Sequence, residues 1–225
     1  VIRATTCDAS GTTRNFTFMM FVTLVFLYMC WDGVLSHIDG FIMLAMFAGF
    51  FADQVVCTRR ARKAVDLDEV EGVPGAFWVA VAFTLAGLVS LPFAAKAVVD
   101  GAVGVAAMYG VSETAIGVTV VALGTSLPEL AAATMAALRG HSAVAIGNAI
   151  GSNIFNILGI MGITATIIPI GVPADFFTFE IWAMIAATLF LVPFVVFCWP
   201  IGRLTGTAMT LAYVLVVYTA LGIAI

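Results

Sequence analysis

The chain has 225 residues, of which 63% are hydrophobic and 10% are charged, and its net charge is −4. An average soluble domain is closer to half apolar and a quarter charged, so this composition excludes an ordinary soluble protein. The charges are few and the one basic cluster is short, which gives no support to a nucleic-acid partner. The composition predicts an all-α polytopic membrane protein.

Apolar stretches that reach or approach the length of a bilayer-spanning helix recur along the whole chain. Such a helix needs about 20 apolar residues, and turn-forming residues separate the stretches. We therefore predict about seven transmembrane helices. They cover residues 16–31, 38–54, 76–99, 113–137, 142–168, 175–198 and 204–225. The polar stretch at residues 59–72 is expected to be a solvated loop.

Lysine and arginine are distributed unevenly between the two ends of these helices. With seven spans, the N-terminal stretch and the loops 55–75, 138–141 and 199–203 lie on one side and hold nearly all of the Lys and Arg residues. Only Lys96 lies near the other side. By the positive-inside rule, the first side is predicted to be cytoplasmic and the C-terminus to be outside.

The stretch GTSLPEL, residues 124–130, places polar residues inside an apolar segment. An ionised carboxylate at bilayer depth costs a few kcal/mol or more, so Glu129 is expected to line a site or a wet cavity rather than to reach the membrane surface. Pro128 has no N–H for the carbonyl four residues before it, which frees backbone oxygens. Thr125, Ser126 and Glu129 fall close to one helix face. Such an oxygen-only patch suits hard cations such as Ca²⁺, Mg²⁺ or Na⁺.

A second polar patch lies in the next segment, in GNAIGSNIFNILG at residues 147–159. Asn148, Ser152 and Asn156 repeat at i, i+4 and i+8, with Asn153 beside them. Alone, this stripe is better explained by hydrogen bonds between packed helices. Because it follows the GTSLPEL patch after one short turn, the two patches together predict a cation site.

The remaining features give no support to an enzyme. The four cysteines form no CxxC pair, which argues against a disulfide framework or a zinc site. The chain contains none of the common hydrolase, metalloprotease or nucleotide-binding motifs. We therefore expect no enzymatic activity and no organic cofactor. His37 and His141 lie at loops and are not expected to bind metal, and Lys96 is placed to pair with Asp100 at i+4.

The run from residue 112 to residue 162 closely resembles the second α-repeat of the calcium/cation antiporter superfamily. The motif GTSLPE followed by GNxxGSNIFN carries the resemblance, which is nearest to bacterial and archaeal sodium/calcium exchangers and extends more weakly over most of the chain. Members of this family have ten spans in two inverted five-span repeats, with the ions bound between the repeats.

The resemblance implies a domain organisation. The seven spans match spans four to ten of such a ten-span exchanger. Residues 1–54 would hold two N-terminal spans that end the first repeat, residues 55–75 a cytoplasmic linker, and residues 76–225 the five-span second repeat with its α-repeat at 112–162. We find no first α-repeat in the chain; the family pattern would place it in about three spans before residue 1.

The resemblance also implies a ligand set. Glu129 matches the calcium-bridging glutamate of the family, and Thr125 and Ala122 match ligands that use their backbone carbonyls. The other candidates are two serines that match sodium ligands and two amides: Ser126, Ser152, Asn153 and Asn156. Asn156 occupies a position that is Asn or Asp in different members, and Asn there argues against the potassium-dependent subclass.

The function implied is that of the C-terminal part of a sodium/calcium antiporter in a prokaryotic plasma membrane. It would exchange Na⁺ for Ca²⁺ by alternating access, with these ions, the lipid bilayer and an N-terminal half carrying the first α-repeat as its partners. A calcium/proton antiporter of the same superfamily is an alternative. A passive cation channel and a half-protein that does not transport are alternatives of other classes.

Overall fold

A computed structural model describes the chain at residues 9–64, 74–108 and 122–220. These described residues are helical apart from short turns and two strands of two residues each. The chain divides into two compact units, which are described separately below. Unit 1 comprises Val1–Phe50 and Ala131–Ile225, and unit 2 comprises Phe51–Leu130.

The helices follow the predicted order of apolar segments. In chain order they are α1 Ala9–Met29, α2 His37–Ala64, α3 Pro74–Met108, α4 Ala122–Thr125, α5 Leu127–Leu138, α6 Ser142–Ile154, α7 Gly162–Ile167, α8 Glu180–Val195 and α9 Arg203–Ala220. A π-helical segment, Phe155–Met161, joins α6 to α7. The strands are β1, Val34–Leu35, and β2, Ile170–Gly171.

Several of these helices are long and apolar enough to cross a membrane. Within the described residues they are Gly11–Asp32, His37–Arg59, Val81–Val105 and Ser142–Ile167. Shorter apolar helices cover Leu127–Leu138, Glu180–Val195 and Arg203–Val216. Each of these helices overlaps one of the seven predicted segments, so the predicted all-α membrane architecture is confirmed. The number of spans stays a prediction, and residues 113–121 of the fourth segment lie outside the described residues.

Two helices continue beyond their predicted ends. Helix α2 runs to Ala64, so the basic start of the stretch predicted as a loop is helical. Arg, Lys and Ala are strong helix formers, and the end of an apolar run therefore need not end the helix. Helix α3 continues to Met108, beyond the predicted end of its segment at residue 99 and through Gly101, because an isolated glycine is tolerated in a helix.

The core of unit 1 is formed where α1 packs against α6 and α8. Phe16 and Val22 of α1 are fully buried, and so is Ile154 of α6. The hydroxyl of Thr13 donates to the carbonyl of Val195 in α8 at 3.2 Å. Thr23, which is buried, donates to the carbonyl of Met19 one turn earlier at 2.9 Å, so this hydroxyl enters the core with its hydrogen bond satisfied.

The two short strands join two connections of unit 1. Strand β1 pairs antiparallel with β2, with Val34 opposite Gly171. Gly33 precedes β1 with a φ of 83°, a left-handed conformation that favours glycine. The ring Nδ1 of His37 lies 3.0 Å from the carbonyl oxygen of Thr166. The connection after α1 and the connection after α7 therefore lie at the same end of this unit.

In unit 2, the short helix α4 packs against α3. Gly124 of α4 is buried, and a Cβ at that position would overlap a γ-methyl group of Val99 in α3. The predicted ion pair is also present in α3, where Lys96 Nζ lies 3.1 Å from Asp100 Oδ2. Glycine at position 124 is thus what allows α4 to lie this close to α3.

Candidate cation-binding site

The helix that was predicted to carry Glu129 is interrupted at Ser126. Helix α4 ends at Thr125, Ser126 forms a turn, and α5 begins at Leu127. Pro128 is therefore in the first turn of α5 rather than in a helix interior. In a first turn the missing N–H of proline has no intrahelical partner to lose, so the break accommodates Pro128 without the usual cost.

The break places the carboxylate of Glu129 in the first turn of α5. The aligned peptide dipoles put a partial positive charge at this end of a helix, which stabilises a nearby carboxylate. One carboxylate oxygen, Oε2, is buried, whereas the neighbouring Thr125 and Ser126 are exposed. The backbone carbonyl of Ser126 accepts from the N–H of Leu130 at 3.0 Å and so closes the first turn.

The side chains of Thr125 and Ser126 carry hydroxyls immediately before this helix terminus. Ala122 begins α4, one turn earlier, and can contribute only backbone atoms to a ligand. Because Pro128 lacks an N–H, it cannot donate to the carbonyl of Gly124. The break thus concentrates hydroxyl, carbonyl and carboxylate oxygens in a short stretch of unit 2.

A second group of candidate ligands lies on α6 in unit 1. The hydroxyl of Ser152 donates to the carbonyl of Ala149 at 3.1 Å, and Nδ2 of Asn153 donates to the same carbonyl at 2.8 Å. Both bonds use the hydrogen atoms of the side chains. The oxygen lone pairs of the hydroxyl and the amide are the atoms that could bind a cation.

Asn156 lies in the π segment rather than in a regular α-helix. The 3.6-residue periodicity that placed Asn148, Ser152 and Asn156 on one stripe therefore ends at Phe155, before Asn156 is reached. The predicted stripe holds for Asn148 and Ser152 within α6, and Asn156 does not simply extend it. π-helical turns frequently occur at functional sites.

Close packing of α2 accompanies the π segment. A Cβ on Gly159 would lie 3.5 Å from the ring of Phe47, and one on Gly162 would lie 3.2 Å from Cβ of Met43. The rings of Phe47 and Phe155 are 5.8 Å apart. Small residues at these positions let α2 approach the irregular part of the helix that carries Asn156.

The structure thus places the candidate ligands in two groups. Ala122, Thr125, Ser126 and Glu129 belong to unit 2, and the unit 1 group is Ser152, Asn153 and Asn156. Within the described residues, no three His, Cys, Asp or Glu side chains lie together as a metal site. Sequence reasoning missed the helix terminus at Glu129, for which Pro128 was a usable signal, and missed the π segment.

Comparison with known proteins supports the sequence resemblance. Residues 79–222 match the model of a family described as sodium/calcium exchanger protein. The chain is 36% identical over 182 residues to a protein of Alkalimonas amylolytica named antiporter CaxA, covering 79% of this chain and 57% of that protein. It is 40% identical over 120 residues to sodium/calcium exchanger MaX1 of Methanosarcina acetivorans, covering 53% and 34%.

The fold gives a further match. A solved structure of the sodium-calcium exchanger NCX_Mj superposes with a TM-score of 0.73 at 25% identity, over 96% of this chain and 67% of that one.

The inner membrane protein YrbG of Escherichia coli is 33% identical over 180 residues, covering 75% of this chain and 54% of that protein. The chain spans about half the length of the curated relatives CaxA and YrbG. It is an integral membrane protein of the sodium/calcium exchanger family.

Proposed function

We propose that this chain forms the part of a sodium/calcium antiporter that supplies one set of cation ligands, with Glu129 as the central ligand. The observation that carries the proposal is the helix break at Ser126, which sets a carboxylate at a helix terminus inside the region that matches the exchanger family. MaX1 and NCX_Mj, which resemble this chain, are both named as sodium/calcium exchangers.

In this proposal Ca²⁺ and Na⁺ are substrates that compete for overlapping oxygens. Glu129 supplies the negative charge, the backbone carbonyls of Ala122 and Thr125 and the hydroxyl of Ser126 complete one set, and the oxygens of the unit 1 group supply a second set. Hard cations of this kind bind carboxylate, carbonyl and hydroxyl oxygens. A buried carboxylate is costly without a compensating charge, so one cation species must leave only as another arrives. That requirement is the physical basis of exchange.

Coupling to sodium rather than to protons is part of the proposal. Glu129 is the one ionisable side chain among the candidate ligands, because Asn153 and Asn156 carry neutral amides. A site with a single carboxylate and several neutral oxygens suits a monovalent cation as the counter-substrate of Ca²⁺. A calcium/proton antiporter would instead have to neutralise Glu129 by protonation, and this remains the alternative of the same superfamily.

We further propose that the stretches 55–75 and 138–141 face the cytoplasm and that the C-terminus is outside. The distribution of Lys and Arg supports this orientation. The pairing of β1 with β2 also fits it, because a seven-span topology puts both of these connections on the same, non-cytoplasmic side. Modification of single cysteines by a membrane-impermeant reagent, introduced in turn at Val34 and at Ser142, tests this, and only the first should react in intact cells.

The test of function is uptake of ⁴⁵Ca²⁺ into proteoliposomes under separate ion gradients. The chain is reconstituted alone and together with the N-terminal spans of a relative such as MaX1. The vesicles are loaded with Na⁺, with choline, or with choline at a lower internal pH than outside. We expect uptake to depend on the outward Na⁺ gradient and to be unaffected by the proton gradient.

Each alternative gives a different result in this assay. Uptake driven by the proton gradient alone would replace sodium with protons as the counter-substrate. Uptake that proceeds equally with choline, without counter-transport, would indicate a channel. The chain reconstituted with the N-terminal spans of the relative could also show no uptake. If those spans are active in the relative's own full-length protein, that result would contradict the antiporter proposal.

A further inference from the structure

Unit 1 has an open apolar groove at the end of the membrane span formed by α1. The groove has a volume of about 550 Å³ and lies between the last turns of α1 and the first turns of α8. Leu27 lines it from α1 and Trp31 from the single helical turn Cys30–Asp32 that follows, and Ile181, Trp182 and Ile185 line it from α8. Nothing in the candidate cation site involves these residues.

The bounds of the candidate membrane span Gly11–Asp32 predict that the groove runs from the membrane surface into the apolar layer. Its α1 side begins beside Asp32, where the membrane span Gly11–Asp32 ends, and descends to Leu27. Its α8 side begins beside Glu180 and descends to Ile185. At a rise of about 1.5 Å per residue, each side reaches roughly 7 Å below its carboxylate.

Aromatic side chains mark the upper part of this groove. Trp31 and Trp182 are 79% and 64% exposed, and Tyr28 is 82% exposed. The ring of Trp31 meets Phe177 edge to face, with 6.3 Å between ring centroids. Exposed Trp and Tyr are enriched at membrane–water interfaces, where their rings lie at the level of the lipid headgroups. The back of the groove is different, because Leu27 and Ile181 are 9% and 8% exposed and form a buried apolar wall.

Two acidic residues directly adjoin lining residues of the groove in the sequence. Asp32 and Glu180 are both exposed; Asp32 directly follows Trp31, and Glu180 directly precedes Ile181. Asp32 is held in place by accepting a hydrogen bond from the N–H of Val34 at 3.1 Å, and Glu180 is in the first turn of α8, where a carboxylate is stabilised. No Lys or Arg side chain of the described residues lines this groove.

We propose that this groove binds a phospholipid whose headgroup carries an ammonium, with an acyl chain between α1 and α8 and the ammonium beside Asp32 and Glu180. The buried apolar wall fits a hydrocarbon chain, the aromatic side chains fit the glycerol and ester level, and the carboxylates attract a cationic group. The same two carboxylates repel a lipid of net negative charge. The ligand class is therefore a zwitterionic aminophospholipid rather than an anionic phospholipid.

Quenching of tryptophan fluorescence by brominated lipids tests this proposal. A Trp78→Phe, Trp199→Phe protein keeps only the two groove tryptophans. It is reconstituted in mixed phosphatidylethanolamine and phosphatidylglycerol vesicles in which one or the other lipid carries brominated acyl chains. We expect brominated phosphatidylethanolamine to quench with a relative affinity about two- to fivefold higher, the range expected for one exposed ion pair.

Two variants assign the preference to the groove. Asp32→Asn combined with Glu180→Gln removes both charges with little change in size, and should bring the ratio of affinities to about one. Asp100→Asn removes a carboxylate elsewhere and should leave the ratio unchanged. A protein that keeps only Trp199 should show no headgroup preference.

Three results would overturn the proposal. Equal quenching by the two brominated lipids would remove the headgroup selection. A preference that survives the double carboxylate variant would place the selection elsewhere in the protein. Groove tryptophans that neither lipid quenches would mean that protein, such as a second copy of the chain, covers this groove instead of lipid.

Discussion

The break between α4 and α5 and the π segment between α6 and α7 both interrupt a helix beside candidate cation ligands, but they arise differently. At the break, Pro128 removes a backbone donor, and α4 ends at Thr125, three residues before it. The π segment, Phe155–Met161, contains no proline. It lies where α2 packs closely against Gly159 and Gly162. The break between α4 and α5 is therefore encoded by the local sequence, whereas the π segment accompanies packing against a distant helix.

This difference suggests a division of roles between the two regions. The local break places a carboxylate at a helix terminus, which needs only the sequence around Pro128. The π segment shifts Asn156 from the regular stripe, and that shift would depend on α2 being in place. If the roles are separate, a change at one irregularity should leave the other unaffected.

Gly40→Ala should destabilise unit 1 strongly. A Cβ at position 40 would lie 2.5 Å from the backbone nitrogen of Thr166, and backbone atoms cannot move aside as a side chain can. Overpacking of this kind costs about 1–3 kcal/mol, which should appear as a lower apparent Tm in detergent. If the contact anchors α2 against the helix that carries Asn156, amide exchange in the π segment should also become faster.

Gly49→Ala is the matched control on the same helix. A Cβ there meets nothing within 4 Å, so the higher helix propensity of alanine should make this change neutral or stabilising by up to about 1 kcal/mol. Equal loss of stability in the two variants would contradict the close approach of α2 to Thr166.

Pro128→Ala should restore the missing N–H and favour one continuous helix from α4 into α5. We expect ⁴⁵Ca²⁺ uptake to fall by about tenfold, because moving a ligand by about 1 Å costs up to about 100-fold in well-ordered sites. Slower amide exchange across residues 122–130 would report the closed break. Pro92→Ala, inside α3, is the control, and a similar loss of uptake there would remove the special role of Pro128.

Lys96→Met should have the smallest effect. The pair between Lys96 and Asp100 is largely exposed, with 73% and 61% of the side-chain surfaces accessible. Exposed pairs of this kind contribute at most about 1 kcal/mol and often nothing. We expect an apparent Tm within measurement error of the unchanged protein and normal uptake, and a large loss of either would show that this end of α3 does more than the structure indicates.

The sequence predicted those parts of the fold that depend on local pattern. The apolar segments located the helices, Pro128 marked a stretch with freed backbone oxygens, and Lys96 with Asp100 gave a correct i+4 pair. Features that depend on distant residues were missed. The pairing of β1 with β2 joins positions more than 130 residues apart, and the packing of Gly162 on Met43 has no signature within either segment.

The candidate site shows the same limit. The oxygen-rich stretch at residues 124–130 could be predicted because carboxylates and proline are unfavourable in a membrane helix. The stabilising position of Glu129 in a first turn depends on where α5 begins, which periodicity alone does not give. Asn156 was assigned to a stripe by assuming a regular helix, and the π segment invalidates that assumption.

The role of Glu129 is tested by Na⁺-dependent ⁴⁵Ca²⁺ uptake of the Glu129→Gln variant, in the complemented proteoliposomes that show uptake with the unchanged chain. Glutamine keeps the size of the side chain and removes its charge, and Ca²⁺ affinity depends strongly on the charge of the ligands. Asp100→Asn is the control for loss of a carboxylate outside the site. We predict that Glu129→Gln lowers uptake by at least about tenfold while Asp100→Asn leaves it unchanged. Normal uptake by a correctly folded Glu129→Gln protein would contradict the assignment of Glu129 as the central cation ligand.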